Sequence, residues 1–351
     1  MLNLMPGPVP LHPEVKQTYF DNFLSHRSQQ FYDDMTAFRE ELCSFTGAEN
    51  VGLFTGSGTL ANEVVCANIQ KIGGKGLVLN NGEFGKRLYI QATQTDLDFI
   101  HYKKELNEEH NYDEIEKIIV DNKVSWVWMT HCETSSGLLN NLRRMKEICT
   151  KFGVKLCLDC ISSIGNLRVD LKGVYLASGT SGKGFGSYAG ICMVYYATEV
   201  LSKSVQGIPR YFDLKLHHDT HGVPWTMNTN LFYALRKAYS RTSTEEHRNL
   251  IKKLSDTLCT ELAKEGIPTL WDKDKILPGV ITLVLPKEIN SYEFGNKLEN
   301  AGFYLNYGSY YLKDANMVQA CLMGDHNEAG LQSFIIMVKV LLKEHKAPVA
   351  A

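Results

Sequence analysis

The chain has 351 residues, is 44% hydrophobic and 22% charged, and carries a formal net charge of −2. That length suits one large domain plus a smaller one. The near balance of charge points away from nucleic acid or an anionic membrane as the main partner. No apolar run reaches the roughly 18 residues of a membrane span. The opening "MLNLMPGPVPLHPEV" lacks a basic n-region and is broken by Pro6, Gly7, Pro8 and Pro10, so it does not read as a signal peptide. Nine scattered cysteines, an odd number, suit reduced cytoplasmic thiols better than a disulfide framework.

From residue 51 to about residue 196, short apolar runs alternate with helix-like stretches. "VGLFTG" precedes "GTLANEVVCANIQ", and "GLVLN" precedes "GKRLYIQATQ". "SWVWMTH" precedes "LRRMKEICTKFG", which is followed by "VKLCLDC". Short uninterrupted apolar runs are the mark of strands covered on both faces. The alternation predicts a mainly parallel sheet in an α/β domain. "GVYLASG" and "GICMVYY" follow each other with no helix-length spacer and read as two strands flanking a lysine-bearing loop. "NTNLFYALRKAY" reads as a long helix. The pattern then changes to helix, strand, helix, two strands and a closing helix, a smaller α+β domain beginning near residue 243. The expected division is an N-terminal arm (1–15), a large domain (16–242) and a small C-terminal domain (243–351).

The loop "SGTSGKGFGSY" holds one lysine, Lys183, among very small residues. It is not a P-loop: the required first glycine falls on Ala177, and Gly184 stands where Ser or Thr should follow the lysine. "FTGSGTLANEVV" is a strand, a turn and a helix start, so Ser57, Gly58 and Thr59 offer backbone N–H groups and hydroxyls to an anion. Asp159 ends the buried run "VKLCLD", and ligands of open α/β sheets lie beyond the carboxyl ends of strands. A phosphate cradle, a strand-end acid and a lysine in that order suit pyridoxal 5'-phosphate (PLP). Its phosphate needs N–H donors, its pyridine nitrogen needs a carboxylate, and its aldehyde needs an amine. Cys157 and Cys160 form a CxxC, but no second Cys or His pair stands at zinc spacing, so no metal is expected.

In "SHRSQQF", "TGSGTLANE", "NNGEFGKR", "THCETSSG", "LDCISSIG", "SGTSGKG", "GVPWTMNTNLFYALR" and "CLMG", taken in order, the chain resembles the class V aminotransferases of PLP fold type I. Within them it resembles the alanine–glyoxylate and 2-aminoethylphosphonate–pyruvate aminotransferases. The resemblance implies a large domain on a mainly parallel sheet of the seven-stranded type, flanked by helices, with a smaller α+β domain. It also implies that Lys183 is the Schiff-base lysine and that Asp159 faces the pyridine nitrogen. Ser57, Gly58 and Thr59 would hold the phosphate, Phe84 would stack on the ring, Thr134 would lie near the ring hydroxyl, and Ile161 would touch the ring's other face. Thr226 resembles a threonine that reaches the neighbouring subunit's phosphate, implying a homodimer with shared active sites. Tyr307 lies in a segment that in relatives comes near the substrate.

Relatives grip the substrate carboxylate with an arginine in the tail, where this chain has Gln319. Gln cannot supply a charged fork, so the expectation is a substrate without the usual carboxylate, or another grip such as Arg27, Arg87 or Arg210. Gly182 replaces a Gln or His beside the lysine, which opens that edge of the pocket. The implied activity is transfer of an amino group from a small amine or amino acid to a keto acid or aldehyde. Two alternatives stand beside it. A lyase of the cysteine-desulfurase type would want a His beside the lysine and a reactive cysteine, and Cys321 reads as a strand residue. A non-catalytic descendant would have little need of Asp159, Lys183 and the GSGT loop together.

Overall fold

Strands form at the apolar runs. In the computed structural model, which describes residues 1–21, 24–203 and 206–346, they are β1 Leu2–Leu4, β2 Asn50–Gly56, β3 Gly76–Asn80, β4 Phe99–Lys103, β5 Trp126–Thr130, β6 Cys132–Glu133 and β7 Leu138–Leu139. β8 Lys155–Asp159, β9 Leu176–Thr180, β10 Gly190–Tyr196, β11 Val280–Val284, β12 Phe303–Leu305 and β13 Met317–Cys321 complete the set. The helices are α1 Pro13–Asp21, α2 Gln29–Thr46, α3 Gly58–Ile69, α4 Glu83–Gln94, α5 Tyr112–Asp121 and α6 Leu142–Phe152, followed by α7 Leu214–Asp219, α8 Thr229–Thr242, α9 Glu245–Lys264, α10 Ser291–Asn300, α11 Tyr310–Asp314 and α12 Glu328–Lys346. Several of their starts carry side-chain caps. Ser28, Asn111, Asn141, Asn228, Thr244 and Asn290 each accept a hydrogen bond from an N–H of the first turn.

The seven-stranded sheet has the order β2-β10-β9-β8-β5-β3-β4, with β10 antiparallel to both neighbours and the other pairs parallel. A parallel return needs a crossover of a dozen or more residues. The lysine loop between β9 and β10 is too short for one, so β10 must turn back. The carboxyl ends of β3, β5, β8, β9 and β2 therefore share one edge, and Thr130, Asp159 and Ser178 stand side by side there. One face of the sheet packs in a cluster with Phe31, Phe38, Ile115, Ile148 and Phe232, from α2, α5, α6 and α8. The other packs with Ala61, Val65, Leu88 and Ala92 of α3 and α4. With both faces covered, the strand interiors are apolar without alternation.

The C-terminal part builds a separate cluster from α9, α10, α12 and the antiparallel pair β11–β13. The N-terminal segment enters that cluster too: Leu4 is buried in it, and β1 pairs in parallel with β12, Leu2 opposite Phe303. Just after β12, Asn306 forms an isolated antiparallel bridge with Gln319 of β13. A small seam of Val9, Cys132, Leu277, Val280, Cys321 and Met323 lies beside the lysine loop. Among the described residues no helix is long and apolar enough to cross a membrane.

Candidate active site

β2 ends at Gly56 and α3 begins at Gly58, with Ser57 as an extended N-cap that makes no side-chain cap bond. The first N–H groups of a helix have no internal partner and carry the positive end of its dipole. The uncapped start thus offers unpaired N–H groups, with the Ser57 hydroxyl beside them, that could hold an anion. A Cβ at Gly58 would lie 2.8 Å from Ile161 Cδ1, so a bare backbone lets this turn close on the loop after β8. Ser57, Gly58, Thr59 and Asn62 line one side of a cleft of about 270 Å³.

Asp159 stands on the floor of that cleft at the end of β8 and is buried. Its Oδ2 accepts from Asn62 Nδ2 at 2.8 Å and its Oδ1 from Ile161 N at 2.9 Å. Burial pushes its pKa above the ordinary carboxyl value, against the Asn62 bond, the Ile161 N–H and the charges of Lys183 and Arg87. Asn62 was not a sequence candidate. Its signal is the spacing: four residues after Gly58 on α3, it shares the face that looks into the site.

Lys183 Nζ donates to Ser162 Oγ at 2.9 Å, and Ser162 Oγ forms a short hydroxyl pair with Thr134 Oγ1. The closed surroundings lower the amine's pKa, opposed chiefly by the charge of Asp159. The small neighbours have a steric reason. A Cβ at Gly184 would lie 2.4 Å from Ile164 O, and one at Gly182 would lie 3.0 Å from Ala189 Cα. Opposite the lysine, Gly7 and Pro8 line the cleft, and a Cβ on Gly7 would sit 3.7 Å from Lys183 Cγ. The proline-rich opening is thus a wall of the site. Nothing local in sequence marks Ser162 or this wall; each depends on a contact between distant segments.

Phe84 lies in the first turn of α4, its ring centroid 5.1 Å from Lys183 Nζ. The turn is held by Glu133, whose buried carboxylate accepts from Phe84 N at 3.3 Å, Gly85 N at 2.9 Å and Ser135 N at 3.1 Å. Burial raises the Glu133 pKa, while the Ser135 hydroxyl and these N–H groups work against it. The sequence signal was a helix start, "NGEFG", with no capping side chain of its own.

The structure gathers Ser57, Gly58, Thr59, Phe84, Asp159, Ile161 and Lys183 around one cleft, with Thr134 one hydroxyl behind Lys183. Thr226 is exposed and does not line its own chain's cleft. Gln319 is fully buried; its Nε2 donates to Thr134 O at 2.7 Å and Thr282 Oγ1 at 2.9 Å, so its amide pins β13 to the loop behind the site and stays out of the cleft. Tyr307 also stands apart, its hydroxyl bonded to Asn296 at 2.8 Å and to Glu299. Arg27 is exposed, and Arg210 stacks on Trp225; neither lines the cleft. Arg87 does. Cys321 is buried in β13, and burial pushes its thiol up to about 12. Among the described residues no His, Cys, Asp and Glu cluster is arranged to hold a metal.

A mixed seven-stranded sheet with an amine, a buried carboxylate and an uncapped helix start at its carboxyl edge defines an α/β enzyme of PLP fold type I. The sequence model of the aminotransferase class-V family matches residues 17–320. The 2-aminoethylphosphonate–pyruvate transaminase of Bacillus cereus is 24% identical, over 92% of this chain and 96% of that protein. That of Pseudomonas fluorescens is 25% identical, over 97% and 96%. The alanine–glyoxylate aminotransferase of Nostoc sp. superposes with a TM-score of 0.89 at 25% identity, covering 97% of this chain and 95% of that one. A cysteine desulfurase of Thermococcus onnurineus shares the fold, with a TM-score of 0.79 at 14% identity over 98% and 95%. The chain belongs to the class-V aminotransferase family. Its activity is PLP-dependent transamination; the desulfurase alternative has the weaker support.

The residues present fit that cofactor. The helix start suits its phosphate and Phe84 suits its flat ring. Asp159 suits its pyridine nitrogen, and Lys183 its aldehyde. A buried Asn62 oxygen without a protein partner is a further polar atom at this wall.

Proposed function

We propose that this cleft transfers an amino group between a small primary amine and a 2-oxo acid, with Lys183 and Asp159 as its catalytic residues. The relatives act on pyruvate or glyoxylate with 2-aminoethylphosphonate or alanine, and those pairs are the reading's first substrates. When bound, pyridoxal phosphate supplies an aldehyde that bonds amines and a ring that takes up the electron pair of a substrate C–H bond. Ser57 Oγ and the N–H groups of Gly58 and Thr59 would hold the phosphate at the positive end of the helix dipole. Phe84 and Ile161 line the cleft and would bracket the ring. Asp159, raised in pKa yet held by Asn62 and Ile161, would keep a proton on the ring nitrogen. Lys183 Nζ would hold the cofactor through its aldehyde; the free amine rests on Ser162 Oγ and would take the proton from the substrate's α-carbon. Its lowered pKa suits that role, because only the unprotonated amine can act as nucleophile or base.

The observation that carries this reading is the convergence of Lys183, Asp159 and the uncapped start of α3 on one cleft. The test uses borohydride reduction followed by mass spectrometry. Wild-type protein should gain the cofactor's mass on the Lys183 peptide and turn over 2-aminoethylphosphonate or alanine. Lys183→Ala should do neither, and turnover by that variant would refute the assignment.

The same reading makes the enzyme a cytoplasmic homodimer with shared sites. All nine cysteines are free thiols, which supports a reducing compartment. Thr226 stands exposed just before α8, as do the apolar Phe20 and Leu24, the latter bonded through its carbonyl to Thr229 of that helix. A second copy on this face would cover them and bring Thr226 to the partner's phosphate. Light scattering should give twice the chain mass, and Thr226→Ala should weaken cofactor binding; a monomer with full activity would refute the shared site.

A further inference from the structure

We propose that Arg87 is the subsite for the anionic end of the substrate, a carboxylate or a phosphonate on the amine or the oxo acid. The inference deepens the transaminase reading and rests on it. Arg87, Asp159 and Lys183 are the charged residues lining the cleft. The last two are assigned to the cofactor in the reading above, which leaves one charged group uncommitted. The Arg87 side chain is about half exposed at the mouth of the cleft, where an anion that sheds part of its hydration gains from a counter-charge.

Arg87 is built for that role. It sits one turn after Glu83 on α4, and its Cζ lies 4.8 Å from the centroid of Phe84, the ring that also faces Lys183 Nζ. Glu83 Oε1 holds Nε at 3.2 Å, and the Tyr310 hydroxyl donates to the other Glu83 oxygen. The two terminal nitrogens take no protein partner among the described residues. That is the fork that matches two oxygens of a carboxylate or phosphonate. Tyr310 lies on α11, so the arginine is steadied from the C-terminal part of the chain while its free end faces the cleft. Gln319, fully buried on Thr134 O and Thr282, cannot serve instead.

The test measures binding without turnover. Cofactor-loaded wild type, Arg87→Met and Arg87→Lys are titrated by calorimetry with propionate and, separately, with methylphosphonate. Cofactor affinity is measured on the apo forms. The Met variant should bind one or both anions about 30-fold more weakly, as expected for losing a charged, two-pronged hydrogen bond. The Lys variant should recover part of that loss. The dissociation constant of pyridoxal phosphate should stay unchanged in both. Which anion loses affinity tells whether the site serves a carboxylate or a phosphonate. Unchanged affinity for both anions in the Met and Lys variants would overturn the proposal. So would a loss confined to the cofactor, which would make Arg87 a cofactor ligand. Absence of transamination with intact anion binding would count against the proposed function and leave this subsite standing.

Discussion

Gly184→Ala is a sharp probe of the lysine loop. The added Cβ would lie 2.4 Å from Ile164 O, 2.5 Å from Asn166 N and 3.0 Å from Gly165 C. All three are backbone atoms, so no rotamer relieves the contact. From the other side, a Cβ on Gly165 would lie 2.4 Å from Gly184 C. Two loops thus touch backbone to backbone through a pair of glycines. Restoring ordinary contact requires a shift of about 1 Å in the residue next to Lys183, and overpacking of this kind costs about 1–3 kcal/mol. A 1 Å misplacement of a reacting group lowers rate by about 100-fold. The 2.9 Å bond from Lys183 to Ser162 is the contact that such a shift disturbs first. Denaturant unfolding and kcat on the loaded enzyme read the two effects. Gly58→Ala is the contrast: its Cβ would meet the tip of a flexible side chain, Ile161 Cδ1 at 2.8 Å, so the smaller stability loss is expected there. A Gly184→Ala enzyme with wild-type kcat and midpoint would refute the reasoning.

Asp159→Asn should keep its shape and still accept the Ile161 N–H, but lower kcat by about 100-fold or more, since it can no longer hold a proton at the ring; an unaltered kcat counts against Asp159. In Asn62→Ala the bond that lowers the Asp159 pKa is gone, so the acid limb of the kcat profile should move to higher pH; movement to lower pH contradicts the assignment. His110 and His131 are buried, and burial holds each near a pKa of about 4 against an ordinary 6.5. Their depressed folded pKa means full stability above 6.5 and loss as pH falls toward 4, at about 1.4 kcal/mol per pH unit per histidine. His110→Gln should flatten the acid side of the unfolding curve, and an unchanged slope would refute the buried-neutral state. Gln319→Ala should cost about 2–3 kcal/mol in urea unfolding, by opening a cavity and leaving Thr134 O and Thr282 Oγ1 without this donor; stability equal to wild type would show that the amide does not fasten β13.

The large sheet was legible because strands covered on both faces read as unbroken apolar runs, and the lysine loop because its length forbids a crossover. Ser57, Asp159 and Lys183 could be found as candidates because each sits where a strand gives way to a turn, a position that leaves a local mark. Asn62, Ser162 and Glu133 left little mark of this kind. Their partners lie 97, 21 and 48–49 positions away. Gln319 was identified as a departure from its relatives, but only tertiary contacts show that its amide faces Thr134 and Thr282 instead of a ligand. The pairing of β1 with β12 was hidden for the same reason: three residues of "LNL" carry too little pattern to name a partner at the other end of the chain.

That pairing orders events in time. Leu2–Leu4 are synthesised long before Phe303–Leu305, so the first segment has no partner for this pairing until most of the chain has been made. Gly7 and Pro8 follow after Met5 and Pro6, and a Cβ on Gly324 would lie 2.4 Å from Pro10 O, so the wall over Lys183 is also fastened to the chain's far end. Contacts so distant in sequence close slowly, because the loop entropy is met before the contact rewards it. The catalytic groups thus stand on an edge built within the large sheet, while the wall over them is held by contacts between the two ends of the chain.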